Sequence, residues 1–405
     1  MGKDTQKNAG RETRILCVWE LGGNLGHLAN LRLFAERALK RGHQVVLVVR
    51  ELHQVPAVFA GLDVEVWQAP HLKLPSLNAK KPMVSYTDMA VQQCFGSESQ
   101  LQLLVQTWQR LFQVIRPDLV IYDHAPSALV ASVGKPWKKW AVGSGFLIPR
   151  TDGEYMGVFP DVRRSPDNGE TLRLREQQAL SMINAVLKRQ NLQPWQTLNP
   201  LFCQCDRQLL MTVPEVDHFG ERKNGEYLGI AISVDGVEPH WPEIELGRPN
   251  QEKVFVYVNN FLELPQLLNE LLSRSRVLVY CKNLPNAIRD QFSDRIAFCD
   301  EPVNMDLLLK SRCRFVTNGN HGTATQALLA GIPQLMIPLQ REQYLLSVRI
   351  NRSERGIIVL PDDKNFCPAI DQFFELKNVN EKEGVRMTND DVSNRINSCF
   401  QESGF

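Results

Sequence analysis

Short runs of β-branched and aliphatic residues, each followed by an amphipathic helical stretch, recur along this chain. That alternation constrains the fold more than any other feature. Residues 15–19 read as a buried strand and residues 27–41 as a helix, with Leu28, Leu31, Leu33, Phe34, Ala38 and Leu39 on or near one stripe. Gly42 ends that helix, and residues 44–49 (QVVLVV) form a second strand. A strand, a crossover helix and another strand are the unit of a parallel sheet. Residues 64–67 offer a third strand, 98–115 a helix, 118–122 a strand and 140–142 another.

After a strand at 208–213 the pattern breaks, and residues 229–252 are rich in Gly, Pro and charge. It restarts with strands at 254–258, 276–280, 296–299, 314–317 and 334–337, and with helices at 264–273, 303–310 and near 323–330. The expected fold class is α/β, with two Rossmann-like, doubly wound parallel-sheet domains facing across a cleft. The expected divisions are a disordered tail at 1–13, an N-terminal domain at 14–215, a linker region at 216–250, a C-terminal domain at 251–365 and a helical tail at 366–405. Residues 150–180, charged and punctuated by Gly and Pro, read as a long exposed excursion.

With 405 residues the chain is long enough for two separate cores. A hydrophobic content of 43% and a charged content of 22% exclude a largely disordered chain. Lys and Arg number 46 against 45 Asp and Glu, so no general attraction to nucleic acid or anionic membrane is expected. Nine scattered cysteines suit a reducing compartment rather than a disulfide framework. The polar start lacks a signal-peptide pattern, and no run of about 18 apolar residues occurs, so a cytoplasmic protein without a membrane span is expected.

The turn after the first strand reads Glu20-Leu21-Gly22-Gly23-Asn24-Leu25-Gly26-His27. Glycines there let the backbone approach a ligand, but the spacing is not that of the dinucleotide-binding fingerprint. His27 falls at the carboxyl edge of the sheet, where open α/β folds bind ligands. Asp123 ends a strand at the same edge. It is placed either to fix the His27 tautomer or to cap the following helix. His124 is a second candidate base or a pocket residue. In the second half, residues 315–343 run from a strand through the turn Asn318-Gly319-Asn320-His321-Gly322-Thr323 into an Ala/Leu helix, then through Gly331-Ile332-Pro333 to Glu342-Gln343. Free N–H groups at that helix start suit a phosphate, and the Glu-Gln pair offers partners to hydroxyl-rich ligands. Cys203 and Cys205 lack two further ligands for zinc and read as structural. Trp137-Lys138-Lys139-Trp140 reads as a solvated loop entering a strand, with membrane contact as the other reading. Gly143-Ser144-Gly145-Phe146 is either a packed turn or part of an acceptor pocket.

On these residues the sequence resembles the two-domain nucleotide-sugar glycosyltransferases of the GT-B fold, close to the UDP-glycosyltransferase superfamily and to its bacterial macrolide- and glycopeptide-type members. The resemblance spans about residues 14–360. It implies His27 as the base and Asp123 as the residue that orients it. It implies nucleotide-sugar contacts from Gly26, Val303, Asn318, Gly319, Asn320, His321, Gly322, Thr323, Glu342 and Gln343. Three positions depart from the pattern: the usual first His of the C-terminal signature is Asn318, with a His at 321; the helix Glu is Gln326; and the usual Asp-Gln pair is Glu342-Gln343. The implied activity is inverting transfer of a sugar from a UDP or dTDP donor to an acceptor hydroxyl, with no metal and no other cofactor. A sugar-nucleotide epimerase of similar bilobal fold, or a catalytically silent sugar-nucleotide-binding partner protein, are the other classes compatible with the residues.

Overall fold

The computed structural model describes residues 13–23, 25–72, 83–161, 168–232, 236–243, 251–378 and 387–405. Except for residue 13, the expected tail at 1–13 lies outside these residues, as do parts of the expected linker and C-terminal tail. The chain divides into two units, one of residues 1–211, 224–228 and 393–405, the other of residues 212–223 and 229–392.

The first unit is built on a seven-stranded sheet: β1 (Arg14–Trp19), β2 (Gln44–Val49), β3 (Glu65–Gln68), β4 (Leu119–Asp123), β5 (Lys138–Gly143), β6 (Arg207–Leu210) and β7 (Glu226–Tyr227). All pairs are parallel and the order is β3-β2-β1-β4-β5-β6-β7. From Ile15 to Trp19 every residue of β1 is buried, as a parallel strand covered on both faces requires. The sheet grows outward from β1 in one direction, then resumes on its other side with β4. The strand order therefore reverses between β1 and β4. Helix α1 (Leu25–Lys40) buries Leu28, Leu31, Phe34, Ala35 and Ala38. Helix α2 (Glu98–Ile115) starts at a Ser97 cap and ends at Arg116, whose left-handed backbone precedes Pro117. Helix α3 (Pro126–Ala131) follows β4 and has Pro in its first turn.

The second unit holds a six-stranded parallel sheet: β8 (Glu252–Tyr257), β9 (Ser275–Tyr280), β10 (Ala297–Cys299), β11 (Arg314–Thr317), β12 (Gln334–Met336) and β13 (Gly356–Ile358). Its order is β10-β9-β8-β11-β12-β13, with the reversal between β8 and β11. One face packs Val254, Val256, Val277 and Val279 against Leu264, Leu267, Leu268 and Leu271 of the helix Leu264–Leu272. The other packs Phe255, Leu278 and Phe315 against Leu308 and Ala327. Helices α4 (His321–Leu329) and α5 (Arg341–Arg352) follow β11 and β12. Two parallel α/β sheets are thus the observed fold class, as the alternation predicts.

Three expectations need correction. The excursion at 150–180 is not uniformly exposed: Met156 and Phe159 are fully buried, Tyr86 N–H donates to Gly157 O at 3.0 Å, and a helix begins at Asn168. Its sparse apolar residues are paired with a distant segment, which average composition does not register. Lys139, expected in a solvated loop, lies inside β5 and is buried, its Nζ donating to Lys135 O at 2.9 Å. The domain boundary also falls elsewhere. Val213 and Val216 pack with Ala324, Met336, Leu346 and Ile350 in the second unit, while Glu226–Tyr227 return to the first sheet. The tail at 366–405 is divided too: Ile370 and Phe373 enter the second core, and the Phe400 ring lies tilted 4.9 Å from that of Trp140 in the first. Gly, Pro and charge mark a linker but do not say which core receives the apolar residues scattered within it. Among the described residues no helix is long and apolar enough to cross a membrane.

Candidate active site

In the first unit, His27 sits in the opening turn of α1, just after β1, and Asp123 is the last residue of β4. The two strands are neighbours, so both side chains come to the point where the strand order reverses, the place where open α/β sheets bind ligands. His27 Nδ1 lies 2.7 Å from Asp123 Oδ1. Asp123 is fully buried, whereas 11% of the His27 side chain remains exposed. A carboxylate on Nδ1 selects the tautomer that donates from Nδ1 and leaves the Nε2 lone pair as the proton acceptor. Asp123 therefore orients the histidine. It does not cap α3, whose N-cap position is Ala125 and lacks a side-chain cap bond.

Gly22 makes this placement possible. Its φ is +94°, and a Cβ there would stand 2.4 Å from His27 Nε2. Gly26, in the first turn of α1, is exposed, and a Cβ there would meet nothing within 4 Å. His124 is buried, its φ is +46°, and its ring stacks 5.9 Å from His27. Burial, reinforced by the neighbouring His27, pushes its pKa down to about 3. So weak a base is a poor proton acceptor near neutral pH. The His124 carbonyl accepts from Leu21 N–H at 3.0 Å and joins the two turns.

In the second unit, the residues predicted around the turn after β11 separate into two groups. Asn318 is fully buried: its Oδ1 accepts from Asn259 N–H at 2.6 Å and its Nδ2 donates to Ile337 O at 2.7 Å. The side chain ties together the ends of β8, β11 and β12, and is not directed to a ligand as the resemblance implied. Gly319 has φ +76°, and a Cβ would meet Ser347 Oγ at 2.5 Å, so glycine is what lets α5 approach. Gln343 Oε1 accepts from Leu339 and Gln340 N–H groups, and its Nε2 donates to Asn320 Oδ1 at 2.9 Å. Asn318, Gly319, Asn320 and Gln343 therefore build the turn.

The second group lies at or near the first turns of α4 and α5 and is only partly exposed. The helical ladder of α4 begins with Ala324 N–H on Asn320 O, so the amides of His321, Gly322 and Thr323 precede it. Gly322 has nothing within 4 Å of a Cβ and no positive φ, so its backbone admits other residues. His321 Nε2 lies 2.9 Å from Thr212 Oγ1, its ring stacks 5.6 Å from His218, and desolvation pushes its pKa down to about 4. Glu342 is partly exposed in the first turn of α5. Val303, expected to open a helix, instead bridges Val237, which bonds to Pro302 O and Asn304 N at 2.9 Å each. That pairing directs the backbone groups of Val303 itself to the opposite edge.

No family model matches the sequence, and no curated protein matches it. Solved structures do. CalG4, the calicheamicin glycosyltransferase, aligns over 97% of this chain and 95% of its own at 16% identity, with a TM-score of 0.64. The glycosyltransferase SnogD from Streptomyces nogalater aligns over 95% of each chain at 16% identity and a TM-score of 0.58. The spinosyn rhamnosyltransferase SpnG, complexed with thymidine diphosphate, aligns over 96% of this chain and 99% of its own at 15% identity and a TM-score of 0.59. The fold is GT-B.

Within this GT-B chain, sequence reasoning passed over Trp19, Thr212, His218 and the role of Glu20. Glu20 is buried, accepts from Ser127 N–H at 3.0 Å and from the Ser127 hydroxyl, and receives the Cys94 thiol at 3.3 Å. Burial pushes its pKa up. A charged residue directly after an apolar strand was the available signal. Cys203 and Cys205 are free thiols, and among the described residues no cluster of His, Cys, Asp and Glu could hold a metal.

Proposed function

We propose that this chain is a glycosyltransferase that moves a sugar from a UDP- or dTDP-type donor to an acceptor hydroxyl, with inversion and without a metal. The observation that carries the reading is the His27–Asp123 pair, a 2.7 Å contact at the strand-order reversal of a GT-B sheet. His27 Nε2 takes the acceptor's hydroxyl proton as the acceptor oxygen bonds to the anomeric carbon. The bond from that carbon to the diphosphate oxygen breaks, and the nucleoside diphosphate leaves with the electron pair. Asp123 holds the imidazole and stabilises its cationic form.

The first-turn amides of α4, at Gly322 and Thr323, suit the diphosphate, because helix N-termini favour anions. His321 supplies a neutral imidazole beside them, in place of the side chain that Asn318 has committed to the turn. In this reading Glu342 accepts from sugar hydroxyls, and the backbone groups of Val303, directed away from Val237, read the base. The spinosyn rhamnosyltransferase named above is complexed with thymidine diphosphate, which supports a donor of this kind. The test is mass analysis after incubation with UDP- and dTDP-sugars, with and without candidate acceptors, in the presence of a chelator. Acceptor-dependent mass gain supports transfer. Epimer formation without an acceptor, or no turnover of any bound sugar nucleotide, would replace it with one of the other two classes.

A further inference from the structure

Three rings meet at the base, and the pairing with Asp123 accounts for only one of them. The Trp19 indole lies 5.1 Å from the His27 imidazole, centroid to centroid, with 20° between the planes. The His124 ring lies 5.9 Å from His27, with 23° between the planes. Trp19 is the last residue of β1 and pairs in register with Asp123 of β4. Register partners in a parallel sheet project to the same face. One pair of strand positions therefore sets both the carboxylate that orients His27 and the ring that stacks on it. The indole cannot swing away, because its Nε1 donates to Leu21 O at 2.6 Å. Burial alone does not call for tryptophan here, since Ile15, Leu16, Cys17 and Val18 fill the same strand completely.

We propose that Trp19 is a positioning residue for His27: its indole face holds the imidazole in line with Asp123 and stabilises the imidazolium formed when His27 accepts a proton. The face of an indole carries negative charge density and attracts a cation lying over it, more strongly when water is excluded. The surrounding groups leave that effect visible. His124, on β4's turn, is uncharged near neutral pH and adds no competing cation. Burial raises the thiols of Cys17 and Cys94 and the phenol of Tyr86, keeping them uncharged as well. Burial also raises Glu20, and Arg50 acts on His124 from beyond β2. The Asp123 carboxylate remains the direct partner.

The inference rests on His27 as the base of the proposed transferase, but its test reads His27 directly. Fluorinated tryptophans placed at position 19 of the full chain withdraw electron density from the indole while keeping its shape. The His27 titration is followed by nuclear magnetic resonance in the ligand-free protein, with His27→Gln identifying the resonance. The expected result is a stepwise fall of the His27 pKa along the fluorination series. The whole fall should be about one unit, a tenfold loss of proton affinity. Trp19→Leu should give the full fall at once, and the fluorinated series keeps the proposal testable should that variant not fold. An unchanged His27 pKa through the series would overturn the proposal and leave Trp19 as core packing. A second arm follows nucleoside diphosphate release from UDP-glucose and dTDP-glucose with water as acceptor, where the acid limb should move with the measured pKa. A pKa shift without turnover of any sugar nucleotide would uphold the stacking effect and sink the transferase reading.

Discussion

His27 and Asp123 are 96 positions apart, and neither has chemical meaning without the other. His27→Ala should abolish transfer, with the loss of a general base lowering the rate roughly 10²–10⁴-fold. Nucleoside diphosphate affinity, measured by calorimetry, should stay unchanged. Retention of more than half the rate would remove His27 from the mechanism. Asp123→Asn should lower the rate with little change in melting temperature. A loss of stability alone would reduce Asp123 to a structural role. Asn318 should behave in the opposite way. Asn318→Leu strands the buried Ile337 carbonyl, worth about 1–3 kcal/mol when unpaired, and removes the part-buried bond to the Asn259 amide. Its chief effect should be a lower urea midpoint, and weakened ligand binding at full stability would contradict that assignment.

At the scale of the element, two glycines three residues apart make a matched test of the turn from β11 into α4. Gly319→Ala forces a side chain into a left-handed backbone, 2.5 Å from Ser347 Oγ, and should destabilise the second unit by about 1–3 kcal/mol. Gly322 meets nothing, so Gly322→Val should change stability by about 1 kcal/mol or less. It should nevertheless crowd a diphosphate at the first-turn amides and sharply weaken UDP and dTDP binding. Thermal melts and calorimetric titrations of the two variants separate the roles. Unchanged titration of Gly322→Val by both nucleotides would remove the anion site from α4.

The whole molecule carries a pH dependence in its packed imidazoles. Desolvation pushes the pKa of His124 down to about 3, that of His321 down to about 4 and that of His218 well below its ordinary value. Unfolded, all three take up protons near 6.5, so the unfolded chain binds more protons between that value and the folded ones. Their contribution to stability is complete above pH 6.5 and is lost as pH falls toward 4. By pH 5 the loss is on the order of 1–2 kcal/mol for His124 and for His321. His124→Phe should therefore show a smaller drop in urea midpoint between pH 7.5 and 5 than the parent chain. An equal drop would mean that this imidazole does not stay neutral in the fold.

Both rounds of strand and helix were legible because parallel strands buried on two faces and helices buried on one carry their periodicity locally. Strands at 44–49 and 314–317 fall where β2 and β11 lie. β13 was not expected: it opens on Gly356, and its two isoleucines are only partly buried. His27 and Asp123 were legible as candidates because strand ends in this fold are ligand edges, but capping and orienting look alike for an Asp in sequence. Only the register of β1 with β4 decided between them, by placing the carboxyl against Nδ1. The turn after β11 shows the same limit. Sequence marks Asn318 and His321 alike as polar residues beside glycines. Tertiary structure gives Asn318 to the ends of three strands and His321 to Thr212, more than a hundred positions away. Periodicity belongs to neighbours in the chain, so the sequence determined the elements. The partners of a buried polar group belong to whichever segments pack around it, so only the assembled sheets decided which of these residues brace the turns and where the others lie.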